Sequence, residues 1–158
     1  MPSDIFAKID GIKGESLDDK HKDEVELQSF SLGVINSGSM RHGSGGGDGK
    51  ASFQDASFTH NVDKASAALW QACATGAHIK EVTIVSRKAG KGQQDFLIIK
   101  LTDVIVSSVQ DGNAGSVPTQ IVGLSFAKIG YEYKPQKADG QLDAGMIFKY
   151  DIKAQREE

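Results

Sequence analysis

One cysteine, Cys73, occurs in the whole chain, so no disulfide can form within it. Prolines number only three, too few for a Pro-rich linker or an extended spacer. No stretch approaches the ~20 apolar residues that a membrane helix requires, so no membrane insertion is expected. The amino-terminal MPSDIFAKID has neither a basic opening nor an apolar run, and no cleavable secretion signal is expected there. Charge of one sign is also lacking. Lys and Arg total 18 against 21 Asp and Glu, a net charge of −3. No basic cluster exceeds Arg87–Lys88 and Lys91, so the electrostatic footprint of a nucleic-acid binder is missing.

What the chain does contain is glycine and strand pattern. Its 158 residues with 18 glycines and 39% hydrophobic content suit one soluble domain spanning 1–158, burying roughly 70% of its unfolded surface. No internal repeat or linker divides it. Ile5–Ile9 alternates as a strand. From Glu24 to Ile35 the apolar parity changes: Val25 and Leu27 share one phase, Phe30, Leu32 and Val34 the other. Period-2 geometry forbids that in a regular one-faced strand, which predicts a bulge or bend near Gln28–Ser29. Residues 36–50 hold six glycines and one apolar anchor, Met40, the composition of a long mobile loop. Ala51–His60 resumes a strand.

Asp63 is an N-cap for a helix over about residues 63–75, whose apolar stripe is Ala65, Ala68, Leu69, Ala72 and Cys73. Gly76 supplies its left-handed end. Strands are expected at Glu81–Lys88, Phe96–Val109 and Thr119–Lys134, the last with a second parity change after Phe126. Met146–Ile152 closes the set, with Met146, Phe148, Tyr150 and Ile152 on one face. The fold class is mainly β, a small bent barrel of about seven to eight strands with one short α-helix.

No catalytic constellation emerges. Gly49–Lys50 looks like the end of a phosphate-binding loop, but Ser44 replaces the required first glycine and Ala51 the Mg²⁺-binding hydroxyl. His21, His42, His60 and His78 have no metal-ligand spacing and read as solvated side chains in loops and at element ends. Cys73, on the helix stripe, reads as an inert buried thiol. Asp18, Asp19, Asp23, Glu24 and Glu26 read as a solvated charge run. No enzyme activity, metal or cofactor is expected.

Several segments carry a resemblance in combination. They are IFAKIDGIKGES (Ile5–Ser16), HKDEVELQSFS, the glycine-dense GSMRHGSGGGDGK, QDASFTHNVDKAS, VTIVSRKAG (Val82–Gly90), LIIKLTDVIVSSV (Leu97–Val109) and YKPQKADG (Tyr133–Gly140). Their order resembles the haemolysin-coregulated protein (Hcp) family, the ring-forming tube subunit of the type VI secretion system, over nearly the whole chain.

The resemblance implies homohexameric rings stacked into a tube. It also implies spike, sheath and baseplate partners, and effector proteins carried in the lumen. Assembly would be cytoplasmic, followed by export to the extracellular space or a target cell. A phage-type tail-tube subunit would share the fold, and a small-molecule-binding barrel is the reading from a different class.

Two sets of residues are singled out. Met40, Arg41, His42, Gly43, Ser44, Gly45, Gly46, Gly47, Asp48, Gly49 and Lys50 are expected to make the ring-to-ring contact. Ser29 and Ser31, opposite in phase to Phe30 and Leu32, are expected to face the lumen and its cargo.

Overall fold

A computed structural model describes residues 4–38, 50–88 and 94–158. Eleven strands are seen among these residues: β1 (Ile5–Ile9), β2 (Val25–Leu27), β3 (Ser29–Ser31), β4 (Val34–Asn36), β5 (Ala51–Phe53), β6 (Ala56–Asn61), β7 (His78–Arg87), β8 (Asp95–Gly112), β9 (Thr119–Tyr133), β10 (Met146–Asp151) and β11 (Arg156–Glu157). One helix, α1 (Ser66–Thr75), joins β6 to β7. The mainly-β expectation with one helix holds. The strand count rises because the bends cut expected single strands into pieces.

The main sheet runs β11–β10–β9–β8–β7–β1–β2, all antiparallel, with β6 pairing both β9 and β3. The first half of β9, Thr119–Leu124, pairs β6, and its second half, Lys128–Tyr133, pairs β10. The circuit returns to β1 through Val25–Ser31, whose first half pairs β1 and whose second half pairs β6. No strand pairs along its whole length with both neighbours there. The sheet therefore bends round toward a barrel without a continuous closed ladder. The change of partner falls at Gln28, whose N–H reaches the Thr59 carbonyl at 2.8 Å. This is the bend that the parity of Val25, Leu27, Phe30 and Leu32 requires. Val34 does not continue the pattern: it is exposed on β4, which pairs only with β5 among the described residues.

A second corner lies across the two longest strands. On β8, Ile99 and Leu101 are buried, then Val104 and Val106. Between them Asp103 takes φ 54, a left-handed conformation that Asp tolerates better than branched residues. Facing it, β9 buries Phe126 and Ala127 in succession and then Ile129, which is the parity change expected after Phe126. A register shift between Val106 and Ser108 adds a further bulge to β8. Bulges at such corners raise the local twist, so one pair of strands serves both halves of the molecule.

Helix α1 packs against β8 with Leu69 and Ala72 buried, and Cys73 is half-buried. Asp63 Oδ1 accepts the Ala65 N–H at 2.8 Å, and Ser66 Oγ accepts the Asp63 N–H at 3.0 Å. The expected N-cap is therefore corrected: Asp63 holds a turn before the helix, which starts at Ser66, and the N-cap position is Ala65, with no side-chain cap. Gly76, at φ 67 and ψ 28, ends it.

The charged stretch between β1 and β2 is folded rather than a bare connection. Gly14 and Ser16 donate to the carbonyls of Asp23 and Glu24, and Asp23 donates back to Ser16. A Cβ on Gly14 would stand 2.5 Å from the Glu24 carbonyl oxygen, so only glycine lets the two backbones approach. The loop lays the His21 ring on Phe6, centroids 4.4 Å apart.

Candidate assembly and lumen surfaces

Two outward faces of the bent sheet differ in chemistry. Residues directly opposite in an antiparallel pair share a face, so the register defines each row. Across β3, β6, β9 and β8, one row is Ser31, Ser57, Gly123 and Ser108, and the next is Ser29, Thr59, Ile121 and Gln110. Both rows are uncharged, and all their side chains but Ile121 are small or polar. Phe30, Phe58, Val122 and Val109 form the opposite, inward row. Ser29 and Ser31, chosen from parity alone, are therefore brought together with serines and threonine from two other strands, and both are exposed.

The outer face of β1, β7, β8, β9 and β10 is charged instead. One of its rows is Lys8, Thr83, Lys100, Gly130 and Lys149, and another is Glu81, Thr102, Lys128 and Asp151. Lys128 Nζ lies 3.2 Å from Glu158 and 3.8 Å from Asp151, and the Glu158 contact, then its charge, raises the Lys128 ammonium above its ordinary value. The Ala154 N–H, first of all, holds Asp151 below its own against the opposing effect of burial, and the Lys128 charge adds a smaller share.

Two apolar flanks stand apart from both faces. Met146, Ile147 and Phe148 on β10 are 69%, 59% and 39% exposed, although they point alternately to opposite sides of the sheet. Tyr131 and Tyr133 share the Met146–Phe148 face and are exposed too. Among the described residues, no strand pairs with Met146–Phe148 on the side away from β9, because β11 meets only Tyr150 and Asp151. The expectation of a strand with one covered face fails here: the inner face of the sheet runs past the end of the core, and nothing among the described residues covers it. The other flank is the β4–β5 hairpin, where Val34 and Ile35 are exposed. Its register, Val34↔Phe53 to Asn36↔Ala51, brings together the two ends of the glycine-rich segment. Met40, Arg41, His42, Gly43, Ser44, Gly45, Gly46, Gly47, Asp48 and Gly49 lie outside the described residues, whereas Lys50 is described and exposed.

The histidines correct the expectation of solvated rings. His21 and His60 are buried and His78 is exposed, while His42 lies outside the described residues. His21 Nδ1 lies 3.0 Å from Glu24 and its Nε2 3.0 Å from Asp95. Arg87, also buried, sits with Cζ 4.9 Å from the Phe6 ring centroid, and its Nη1 is 2.8 Å from Asp18. That contact is a charge pair off the ideal hydrogen-bond direction, and it is the main cause that keeps the Asp18 carboxyl below its ordinary value. Two of the carboxylates read as a solvated run are thus tied down, Asp18 by Arg87, which stands 69 positions away, and Glu24 by His21, three positions away. Local pattern carries no signal for either. Among the described residues, no group of three His, Cys, Asp or Glu is placed to hold a metal ion.

Comparison with known proteins gives one family. The family model described as "Type VI secretion system effector, Hcp" matches residues 6–133. The chain is 44% identical over 150 residues to Protein hcp1 of Pseudomonas aeruginosa, covering 93% of each. Among solved structures, "Structure of a type six secretion system protein" superposes with a TM-score of 0.92 at 28% identity, covering 99% of both chains. Hcp1 from Salmonella typhimurium superposes with a TM-score of 0.83 at 36% identity, covering 100% of both.

Proposed function

Since this chain belongs to the Hcp family and is a tube subunit of the type VI secretion system, we propose that its copies join side by side into a hexameric ring with an open lumen. Rings stack into a tube that carries effector proteins and meets the spike, sheath and baseplate. The subunit acts as one unit over residues 1–158, is structural rather than catalytic, assembles in the cytoplasm and leaves the cell within the secretion machine.

The observation that carries the ring is β10. Its segment Met146–Phe148 has an edge that no described strand pairs and two exposed apolar faces, and an unpaired edge is a template for another chain. The β4–β5 hairpin, with Val34 and Ile35 outward, is a second and different flank, and an isolated two-stranded hairpin is marginal without a cover. Two unlike patches make a heterologous contact, which closes into a ring when the rotation suits. The uncharged serine and threonine rows suit the lumen, because they present small polar groups without fixed charge to any cargo. Segment 40–50 makes the ring-to-ring contact.

Light scattering on the purified protein, combined with electron microscopy of negatively stained particles, tests the reading. The expected result is the mass of six chains and annular particles with stain in the centre. A monodisperse monomer at high concentration, with no annuli, would overturn it. A coloured or ligand-bound monomer would favour a small-molecule barrel instead.

A further inference from the structure

Helix α1 is tied to the sheet by a chain of polar side chains. His60, on β6, is fully buried, with Nε2 2.7 Å from Gln120 Oε1. The orientation of the Gln120 amide is set from its other end. Its Nε2 donates to Asp111 Oδ1 at 2.9 Å and toward the Ser66 carbonyl at 3.5 Å. Gln120 Oε1 must therefore accept, and His60 Nε2 must carry a proton. The same Asp111 Oδ1 accepts the Trp70 indole N–H at 3.0 Å. One oxygen thus joins the middle of α1 to the end of β8 and, through Gln120, to β9 and β6.

That leaves His60 Nδ1. It is buried with no hydrogen-bond partner and lies 3.6 Å from Asp63 Oδ2. The other oxygen of Asp63, Oδ1, caps the turn that starts α1. Among the described residues, Asp63 from that turn and Asp111 from β8 are the charged groups that act on the ring, which also meets Gln120 and the Phe58 ring.

We propose that His60 is a proton-controlled latch that fastens α1 onto the barrel. With Nδ1 protonated, the imidazolium donates to Asp63 and closes the network from the helix entry to Trp70. With Nδ1 neutral, a buried acceptor faces a carboxylate, two groups that repel, and the entry to α1 loosens. Burial alone pulls the imidazolium down, but the contacts with Asp63 and Gln120 and the charges of Asp63 and Asp111 outweigh it and raise the group above its ordinary value of 6.5. The sign follows from linkage. A raised folded-state value means that the latch contributes fully below about pH 6.5 and is lost as pH rises through the folded value.

Trp70 is the only tryptophan in the chain, so its emission reads the network directly. The experiment follows Trp70 fluorescence of the full chain from pH 6 to 9, with far-ultraviolet circular dichroism recorded in parallel. The expected result is a one-proton red shift with a midpoint above about 6.5 and constant circular dichroism. In Asp63→Asn, which keeps an oxygen for the Ala65 N–H but removes the charge, the midpoint should fall by about one unit or more. In His60→Gln the transition should vanish. Emission that does not change with pH, a midpoint unmoved in Asp63→Asn, or a shift that accompanies loss of the circular dichroism signal would each overturn the latch. If His60→Gln does not fold, Asp63→Asn decides alone.

Discussion

Ser31 stands in a row with almost no side-chain depth, because its neighbours across the strands are Ser57, Gly123 and Ser108. Gly123 cannot be larger without a local shift. A Cβ there would lie 3.1 Å from the Ser107 hydroxyl and closer still to that of Ser108. The β8 bulge at Ser107–Ser108 therefore sets the shallowness of the whole patch. In the proposed ring a side chain added to this row projects into the lumen. Ser31→Gln should lower the amount of effector that co-purifies with rings by about tenfold, the effect of ~1.4 kcal/mol. Ring mass measured by light scattering should be unchanged. Rings that fall apart in this variant would place Ser31 in the core or at the subunit contact instead.

Among the elements, the hairpin β4–β5 stands apart from the other strands, pairing with none of them among the described residues. Val34 and Ile35 have β-branched strand chemistry yet no core to pack on, so the hairpin offers its faces to a neighbour. The segment beyond it is rich in glycine, and fixing such residues costs about 1–2 kcal/mol of backbone entropy each. In the proposed tube, a stacking contact made this way would be weak enough to wait for assembly conditions. Deleting Ser44–Gly47 leaves both strands and the Asn36↔Ala51 register in place. The expected outcome is normal annuli with stacking weakened by about tenfold or more, ~1.4 kcal/mol, counted as tube length in electron micrographs. Tubes of ordinary length would remove the segment from the stacking contact.

For the whole molecule, the decisive feature is a sheet longer than its own core. Ile147 is 59% exposed, and exposed substitutions away from special features shift stability by about 0.5 kcal/mol or less. Ile147→Lys should therefore leave the monomer folded, with Tm nearly unchanged. An unpaired charge buried at the ring contact costs about 3–5 kcal/mol, so rings should give way to monomers on light scattering. Unaltered rings would exclude β10 from the subunit contact. Whatever depends on near neighbours could be read along the chain: the bend at Gln28, the parity change on β9 after Phe126, the Asp63 turn and the left-handed Gly76. Each follows from period, turn chemistry or backbone freedom within a few residues. The rest came from packing between distant segments. The apolar run Phe96–Ile99 had no readable phase until the kink at Asp103 and its partner β9 supplied one. His21 and His60 look solvated until strands or loops distant in sequence bring Asp95 and Gln120 to their rings. The strand Met146–Ile152 alternates cleanly, yet whether its apolar face is covered depends on where the core ends, and no local pattern records that.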